Sequence, residues 1–429
     1  MTGRGPRGGG RDRQTVPRDG ERPAPESLDA PYIRDAEGLE ALCAELAAQP
    51  AIALDIEFRR ERTYRAKLEL IQVATPSGPV IIDPLAIRDV SPLWRIVADP
   101  GVVKILHAAS QDLEIYFAQM QIPPQAIFDT QIAAALVGLG EQIGYADLLA
   151  RLIGVRLSKL ETRTDWSQRP LTPGQIGYAL DDVRYLHDVY AKLQARLQNS
   201  GRIEWMSQEM RKYEDPATYA PDPMRLALKM PRVRALARKQ FNALVELTWW
   251  REQEAMERDE PRSFVLSDSL LVEIARRLPR TPDELVVLRG LHPRFAERYG
   301  RAVCAAVLAA AEREQLEVPD LPAPRSDDPE RALLLDLLEV VVRIRARAAE
   351  IAPRYLCTRQ DLADFLEAHD SSIEAAHAHT LYSSWRGKLI GHDVLALLDG
   401  RLVLRLDPAT GRVTVSPPVP PSAAPGDTA

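Results

Sequence analysis

The chain has 429 residues, of which 45% are hydrophobic and 27% are charged, and its net charge at neutral pH is −6. This length exceeds what one hydrophobic core supports, and the composition is typical of a soluble globular protein with two to four domains. The charge excludes a protein coated in basic surface, and the absence of a membrane-length apolar run or a signal-peptide core predicts a cytoplasmic protein.

Segments rich in proline and polar residues divide the chain. Residues 1–30 and 417–429 have the composition of disordered tails, and residues 213–230 and 317–330 have that of linkers. The folded domains are therefore predicted at 31–212, 231–316 and 331–416. Three isolated cysteines without metal-type spacing predict reduced core residues; they are Cys43, Cys304 and Cys357.

The first domain shows strand patterns early and helix patterns late. A helix is expected over 36–49, and strands are expected at 52–58, 68–74, 80–82, 102–106 and 126–129. Short connections favour an antiparallel meander for the first three strands. Helices between and after the later strands, up to about residue 199, predict an α/β domain with a mixed sheet.

Two carboxylates interrupt the first of these strands. Asp55 and Glu57 are two positions apart, so they point to the same face of the sheet. Because paired like charges repel, a divalent cation between the carboxylates is one explanation. The alternative is an edge strand whose polar face lies in water.

Further acids follow at later strand and helix ends. Asp112, the last residue of HAASQD, and Asp129, in FDT, each lie where a strand gives way to a helix, so each is either a ligand or a helix cap. Tyr178 and Asp182 are four residues apart and share one face of a predicted helix, whereas Asp181 points elsewhere. A hydroxyl and a carboxylate on one face suit a metal-bound water that attacks a phosphodiester.

The order of DIEF, HAASQD, FDT and YALDD resembles the DEDD superfamily of 3′-to-5′ exonucleases, in the ribonuclease D branch whose third motif carries tyrosine. The segments RTYRAKLELIQVA, VIIDPL and LSKLETRTDWSQRPLT are similar to the same family. The resemblance covers about 180 residues in order. It implies a mixed sheet of the ribonuclease H-like type, flanked by helices.

The resemblance also implies residue roles. The metal ligands would be Asp55, Glu57, Asp112 and Asp182, and the hydroxyl of Tyr178 would position the attacking water. Two ions, Mg²⁺ or Mn²⁺, would release nucleoside 5′-monophosphates. His107 and Asp129 are expected to support the site. The basic residues Lys159, Arg163 and Arg169 either contact substrate phosphates or are solvated loop charges.

The remaining segments are helical. Residues 231–316 resemble the HRDC domain, and residues 331–416 resemble a second, diverged HRDC-like domain that ends in a hairpin pattern. An α/β exonuclease domain followed by two all-α HRDC-type domains is therefore the expected architecture. Trp249 and Trp250 are adjacent on one helix, so at least one of them is expected in the core.

Three functions are compatible with these observations. The first is a metal-dependent exoribonuclease that acts as a monomer on the 3′ ends of transfer RNA precursors and other stable RNAs. The second is the same chemistry on DNA, and the third is a non-catalytic RNA-binding scaffold. The presence of all four acids and the tyrosine disfavours the scaffold, and only contact with a 2′-hydroxyl would separate RNA from DNA.

Overall fold

The computed structural model describes residues 31–157, 164–312 and 329–417. The first of its three units, the sheet unit, contains six strands and eight helices. The strands are β1 (Tyr32–Ile33), β2 (Ala51–Arg59), β3 (Lys67–Thr75), β4 (Gly78–Ile82), β5 (Val103–Leu106) and β6 (Ile127–Asp129). The helices are α1 (Ala36–Ala47), α2 (Ser91–Val97), α3 (Ser110–Met120), α4 (Thr130–Leu136), α5 (Tyr145–Leu152), α6 (Pro173–Arg184), α7 (Leu186–Asn199) and α8 (Ile203–Glu214).

The sheet is mixed, with strand order β1-β4-β3-β2-β5-β6. The central β2, β3 and β4 form the antiparallel meander expected from their short connections, and β1, β5 and β6 add parallel pairs. Strand β1 was not predicted, because two residues carry no periodic signal. Helix α6 packs on β2, β3 and β4 and covers one face of the meander.

The first helical unit follows the sheet unit. It contains a 3₁₀ turn at Val233–Ala235 and the helices α9 (Pro223–Leu228), α10 (Arg238–Arg258), α11 (Arg262–Val265), α12 (Asp268–Arg277), α13 (Pro282–Val286) and α14 (Pro293–Glu312). Its core is separate and forms around α10, which packs on α12 and α14. Trp250 is partly buried and packs against this core, whereas Trp249 is exposed, so the expected core position is met only in part.

The predicted linker 213–230 is not an open spacer. Tyr213 is buried in the core of the sheet unit, and Tyr219 stacks on Phe117 with ring centroids 4.5 Å apart. Ala227 and Met230 already belong to the core of the first helical unit. This packing was not predicted, because the three prolines and the short elements of the segment are typical of a linker.

The second helical unit ends in a two-stranded hairpin. It contains α15 (Pro329–Ala348), α16 (Pro353–Leu356), α17 (Arg359–Ser371), α18 (Ile373–Ala378), α19 (Thr380–Ser383), a π turn at Gly387–Gly391, α20 (His392–Leu398), β7 (Val403–Leu406) and β8 (Val413–Ser416). Its buried side chains continue the core of the sheet unit, so this unit packs directly on the sheet unit.

The three cysteines are buried free thiols, as the sequence indicated. Among the helices of the described residues, none combines the length and the apolarity that a membrane crossing requires.

Candidate active site

Three carboxylates converge where α6 covers β2. Asp55 and Glu57 lie on β2, and Asp182 approaches them from α6; each offers an oxygen, and these three oxygens lie within 4.8 Å of one another. Helix α6 begins at a capping box, in which the Thr172 hydroxyl accepts from the amide of Gln175 and the Gln175 side chain accepts from the amide of Thr172. This cap fixes the start of the helix, nearly three turns before Asp182.

The fourth acid lies at the edge of this group. Asp112 is in the first turn of α3, just after β5, and it is not a helix cap, since that position belongs to Ala109. Its pKa is raised well above the ordinary value by burial and then by the nearby Asp55 and Glu57. The structure therefore brings Asp112 within electrostatic reach of the cluster but leaves it outside the three closest acids.

Asp129 stabilises the turn between β5 and α3. Its carboxylate caps α4 and accepts hydrogen bonds from the amides of Ala108 and Ala109, at 3.1 and 3.0 Å. The Tyr213 hydroxyl, from the predicted linker, donates a further hydrogen bond at 3.1 Å. His107, just before this turn, hydrogen-bonds to Thr130 and to the carbonyl of Ile143. Asp129 thus stabilises the turn before α3, and His107 links this turn to α4 and to the segment before α5, while their support of the site stays a prediction.

Tyr178 and Asp181 lie on different faces of α6, as the helical spacing predicted. The pKa of the Tyr178 hydroxyl is raised by burial and then by Asp182, Glu57 and Asp55, so this hydroxyl lies beside the carboxylates and stays protonated at neutral pH. Asp181 instead pairs with Arg184 at 3.0 Å. One face of α6 therefore belongs to the site and the other does not.

Burial and mutual repulsion disfavour ionisation of the three acids. Burial raises the pKa of Asp55 to about 7. Burial, followed by repulsion from Asp55, raises the pKa of Glu57 to about 8 and that of Asp182 to about 9. Carboxylates that resist ionisation alone but lie within 4.8 Å of one another fit a divalent cation, because oxygen ligands and negative charge are what such ions need.

These shifts predict how stability depends on pH. Because the folded pKa values exceed the unfolded ones, the metal-free folded state binds more protons between about pH 5 and 9, and its stability falls as pH rises through this range. In EDTA, the melting temperature should fall from pH 5 to pH 9, and Asp182→Asn should flatten the curve. Mg²⁺ should stabilise more at high pH, because it binds the ionised acids. A melting temperature in EDTA that rises over this range, by differential scanning fluorimetry, would contradict the shifts.

Of the three basic substrate-binding candidates, Lys159 and Arg163 lie outside the described residues. Arg169 is already engaged. Its guanidinium donates two hydrogen bonds to Asp83, at 2.6 and 2.8 Å, and three more to the backbone carbonyls of Glu69, Trp166 and Gln168. All five donors of an arginine are thereby used. The structure thus corrects the phosphate-binding interpretation of Arg169, which anchors the loop before α6 to the sheet.

Two polar residues near the site were not singled out by the sequence. Gln72 lies on β3 directly opposite Asp55 and is fully buried. Tyr145 begins α5, its ring is 5.5 Å from that of His107, and burial followed by Asp182 raises the pKa of its hydroxyl. Only the pairing of β2 with β3 and the placement of α5 reveal these neighbours, since both residues are distant from the acids in sequence.

Comparison with protein families agrees with this geometry. Residues 31–198, which span the sheet unit through most of α7, match the 3′-5′ exonuclease family, and residues 240–307 match the HRDC domain. Together with the acidic cluster of β2 and α6, the first match makes this chain a divalent-metal-dependent 3′-5′ exonuclease of the DEDD superfamily.

Similar proteins narrow the class. The chain is 37% identical to ribonuclease D of Granulibacter bethesdensis over 87% of its own length and 94% of that protein, and 38% identical to ribonuclease D of Nitrobacter hamburgensis over 87% and 96%. The structure of Escherichia coli RNase D, described as an exoribonuclease involved in structured RNA processing, superposes with a TM-score of 0.74 at 33% identity and covers 86% of this chain and 99% of its own. The chain belongs to the ribonuclease D family and is a 3′-5′ exoribonuclease, which confirms the resemblance.

Proposed function

We propose that this exoribonuclease trims the 3′ ends of structured RNAs, transfer RNA precursors among them, as a cytoplasmic monomer. The convergence of Asp55, Glu57 and Asp182 within 4.8 Å is the observation that carries the catalytic part of the proposal. The substrate follows from the similarity to the Escherichia coli enzyme. Three reduced, buried cysteines are compatible with the cytoplasm.

Each acid receives a role in the proposal. Asp55, Glu57, Asp112 and Asp182 would hold two divalent ions, Mg²⁺ or Mn²⁺. Bound ions of this kind activate water and neutralise charge on the leaving 3′-oxygen. Asp112, outside the three closest acids, would add a fourth carboxylate at the edge of this group.

Tyr178 would position the attacking water. Because its raised pKa keeps the phenol protonated, the hydroxyl acts by hydrogen bonding and does not remove a proton as a base. The water would lie between this hydroxyl and the carboxylates of β2. Loss of the hydroxyl in Tyr178→Phe would therefore misorient the nucleophile while it leaves the metal ligands in place.

The first helical unit is attached beside the catalytic strand, which supports a role in holding the RNA. In the loop after β2, the Tyr64 hydroxyl donates to Glu252 of α10 at 2.9 Å, and Arg262 donates to the same buried carboxylate at 2.5 Å. The amide of Arg65 donates to Asp259 at 2.9 Å. RNA that leaves the active site along this loop would meet the HRDC domain.

The substrate is tested with three oligonucleotides of one sequence: single-stranded RNA, single-stranded DNA, and RNA with a hairpin upstream of a short 3′ overhang. With Mg²⁺, both RNAs should be shortened from the 3′ end, and DNA should be about tenfold slower if one or two hydrogen bonds to the 2′-hydroxyl are lost. Equal rates on RNA and DNA would refute the RNA preference. Tight RNA binding without cleavage in any metal would favour the non-catalytic scaffold.

A further inference from the structure

A buried carboxamide without a partner lies beside the metal-binding acids. Gln72, on β3, is 0% exposed, and neither its side-chain oxygen nor its side-chain nitrogen has a hydrogen-bond partner among the described residues. Leaving such atoms unsatisfied costs about 1 to 3 kcal/mol each. A site of this kind requires an explanation, because nearly all buried polar groups in proteins are hydrogen-bonded.

The strand register fixes where the carboxamide points. Gln72 pairs directly with Asp55 of β2 in the antiparallel register, so both side chains leave the same face of the sheet. On the other side, Gln72 pairs with Ile81 of β4, which packs with Ala179 and Leu180 of α6. The carboxamide therefore lies on the α6 face, between the sheet and the helix that supplies Asp182.

The chemistry of the neighbouring acids indicates which side-chain atom of Gln72 can bind them. Asp55 is close to Glu57 and Asp182, and all three are acceptors once ionised. The only donor that Gln72 can offer such a group is its amide N–H. Carboxylates that hold a metal ion are commonly held in turn by hydrogen bonds that orient them.

We propose that Gln72 is a positioning residue for Asp55, whose carboxylate accepts a hydrogen bond from the Gln72 amide when it holds a divalent ion. This inference rests on the proposed metal-binding role of Asp55. The amide would fix the orientation of the carboxylate and would satisfy the buried donor in the same step. Gln72 would not touch the substrate.

The test replaces Gln72 with methionine, which keeps the length of the side chain and removes both polar atoms. The affinity for Mn²⁺, measured by electron paramagnetic resonance of the free ion, should fall about 10-fold or more in Gln72→Met. The matched control is Asn242→Leu in α10, which also removes a buried side chain with an unpartnered oxygen but lies in the first helical unit. Its Mn²⁺ affinity should equal that of the wild type.

Stability distinguishes positioning from a structural role. Removing two unsatisfied atoms should leave the free energy of unfolding in urea unchanged or higher, so weaker Mn²⁺ binding would not come from unfolding. A folded Gln72→Met with wild-type Mn²⁺ affinity would overturn the inference. Failure of the wild type itself to bind Mn²⁺ would overturn the proposed metal site instead.

A crystal structure of the wild type with Mn²⁺ provides a second measurement that does not depend on the variant. The nitrogen of the Gln72 side chain should lie within about 3.2 Å of an Asp55 carboxylate oxygen. A separation beyond about 3.5 Å, with the ion bound, would also overturn the inference.

Discussion

Asp182→Asn should lower the rate of RNA hydrolysis by about a thousandfold or more, the effect of losing several kcal/mol of metal-derived transition-state stabilisation. Asp182 is the only acid by which α6 reaches the cluster on β2. An amide keeps the shape of the carboxylate but removes the negative charge that a divalent cation requires. The protein should remain folded, and its metal-free form should be at least as stable, because the amide is neutral, whereas burial and then Asp55 and Glu57 disfavour the ionised carboxylate.

The neighbouring acid supplies the matched control. Asp181→Asn makes the same chemical change one residue earlier, on the side of the helix where the carboxylate pairs with Arg184. We expect its rate to stay within about threefold of the wild type, since a partly exposed ion pair contributes little. Rates should be measured as single turnovers on RNA in Mg²⁺. Equal losses in the two variants would show that α6 acts through its stability and not through a specific ligand.

Glu209→Ala should lower the free energy of unfolding by about 3 kcal/mol, the effect of leaving one partner of a mostly buried ion pair alone. Glu209, on α8 of the sheet unit, accepts hydrogen bonds from three residues of the second helical unit. The donors are Arg386 at 2.9 Å, the Trp385 indole at 3.0 Å and the Tyr355 hydroxyl at 3.1 Å. Burial raises the pKa of Glu209, but Arg386 and these hydrogen bonds outweigh it and hold the pKa below its ordinary value.

The control for this prediction lies on the same helix. Glu204 pairs with Arg211 at 3.3 Å, with both side chains about two-thirds exposed. Glu204→Ala should therefore change stability by less than about 1 kcal/mol. Urea unfolding followed by tryptophan fluorescence measures both variants, because Trp205 and Trp385 stack across the interface at 4.7 Å. If both variants lost the same small amount, the contact between the units would not depend on Glu209.

Much of the site was predictable from the sequence because strand and helix periodicities are local properties. The alternation of side chains on β2 placed Asp55 and Glu57 on one face. On α6, the spacing of four residues placed Asp182 on the same face as Tyr178, and Asp181 on another. Neither periodicity predicts that α6 packs against β2. That step came from the resemblance to the DEDD exonucleases, and the structure agrees with it.

The remainder depended on contacts between distant residues. Arg169 donates hydrogen bonds to Asp83, which is 86 positions away in sequence. The sequence around Arg169 therefore did not show that this loop residue is unavailable for substrate phosphates. The burial of Gln72 opposite Asp55 requires the register of two strands. The second helical unit resembles a separate domain in sequence, yet Trp385 and its neighbours pack on the sheet unit, and periodicity carries no information about such a surface.

The most direct test of the metal-dependent exonuclease is the product released from a 3′-labelled single-stranded RNA by wild type and by Asp55→Ala, each in Mg²⁺ and in EDTA. We predict nucleoside 5′-monophosphates, released one at a time from the 3′ end by the wild type in Mg²⁺ and absent in the other three reactions. Activity retained by a folded Asp55→Ala, or by the wild type in EDTA, would contradict the assignment of this site.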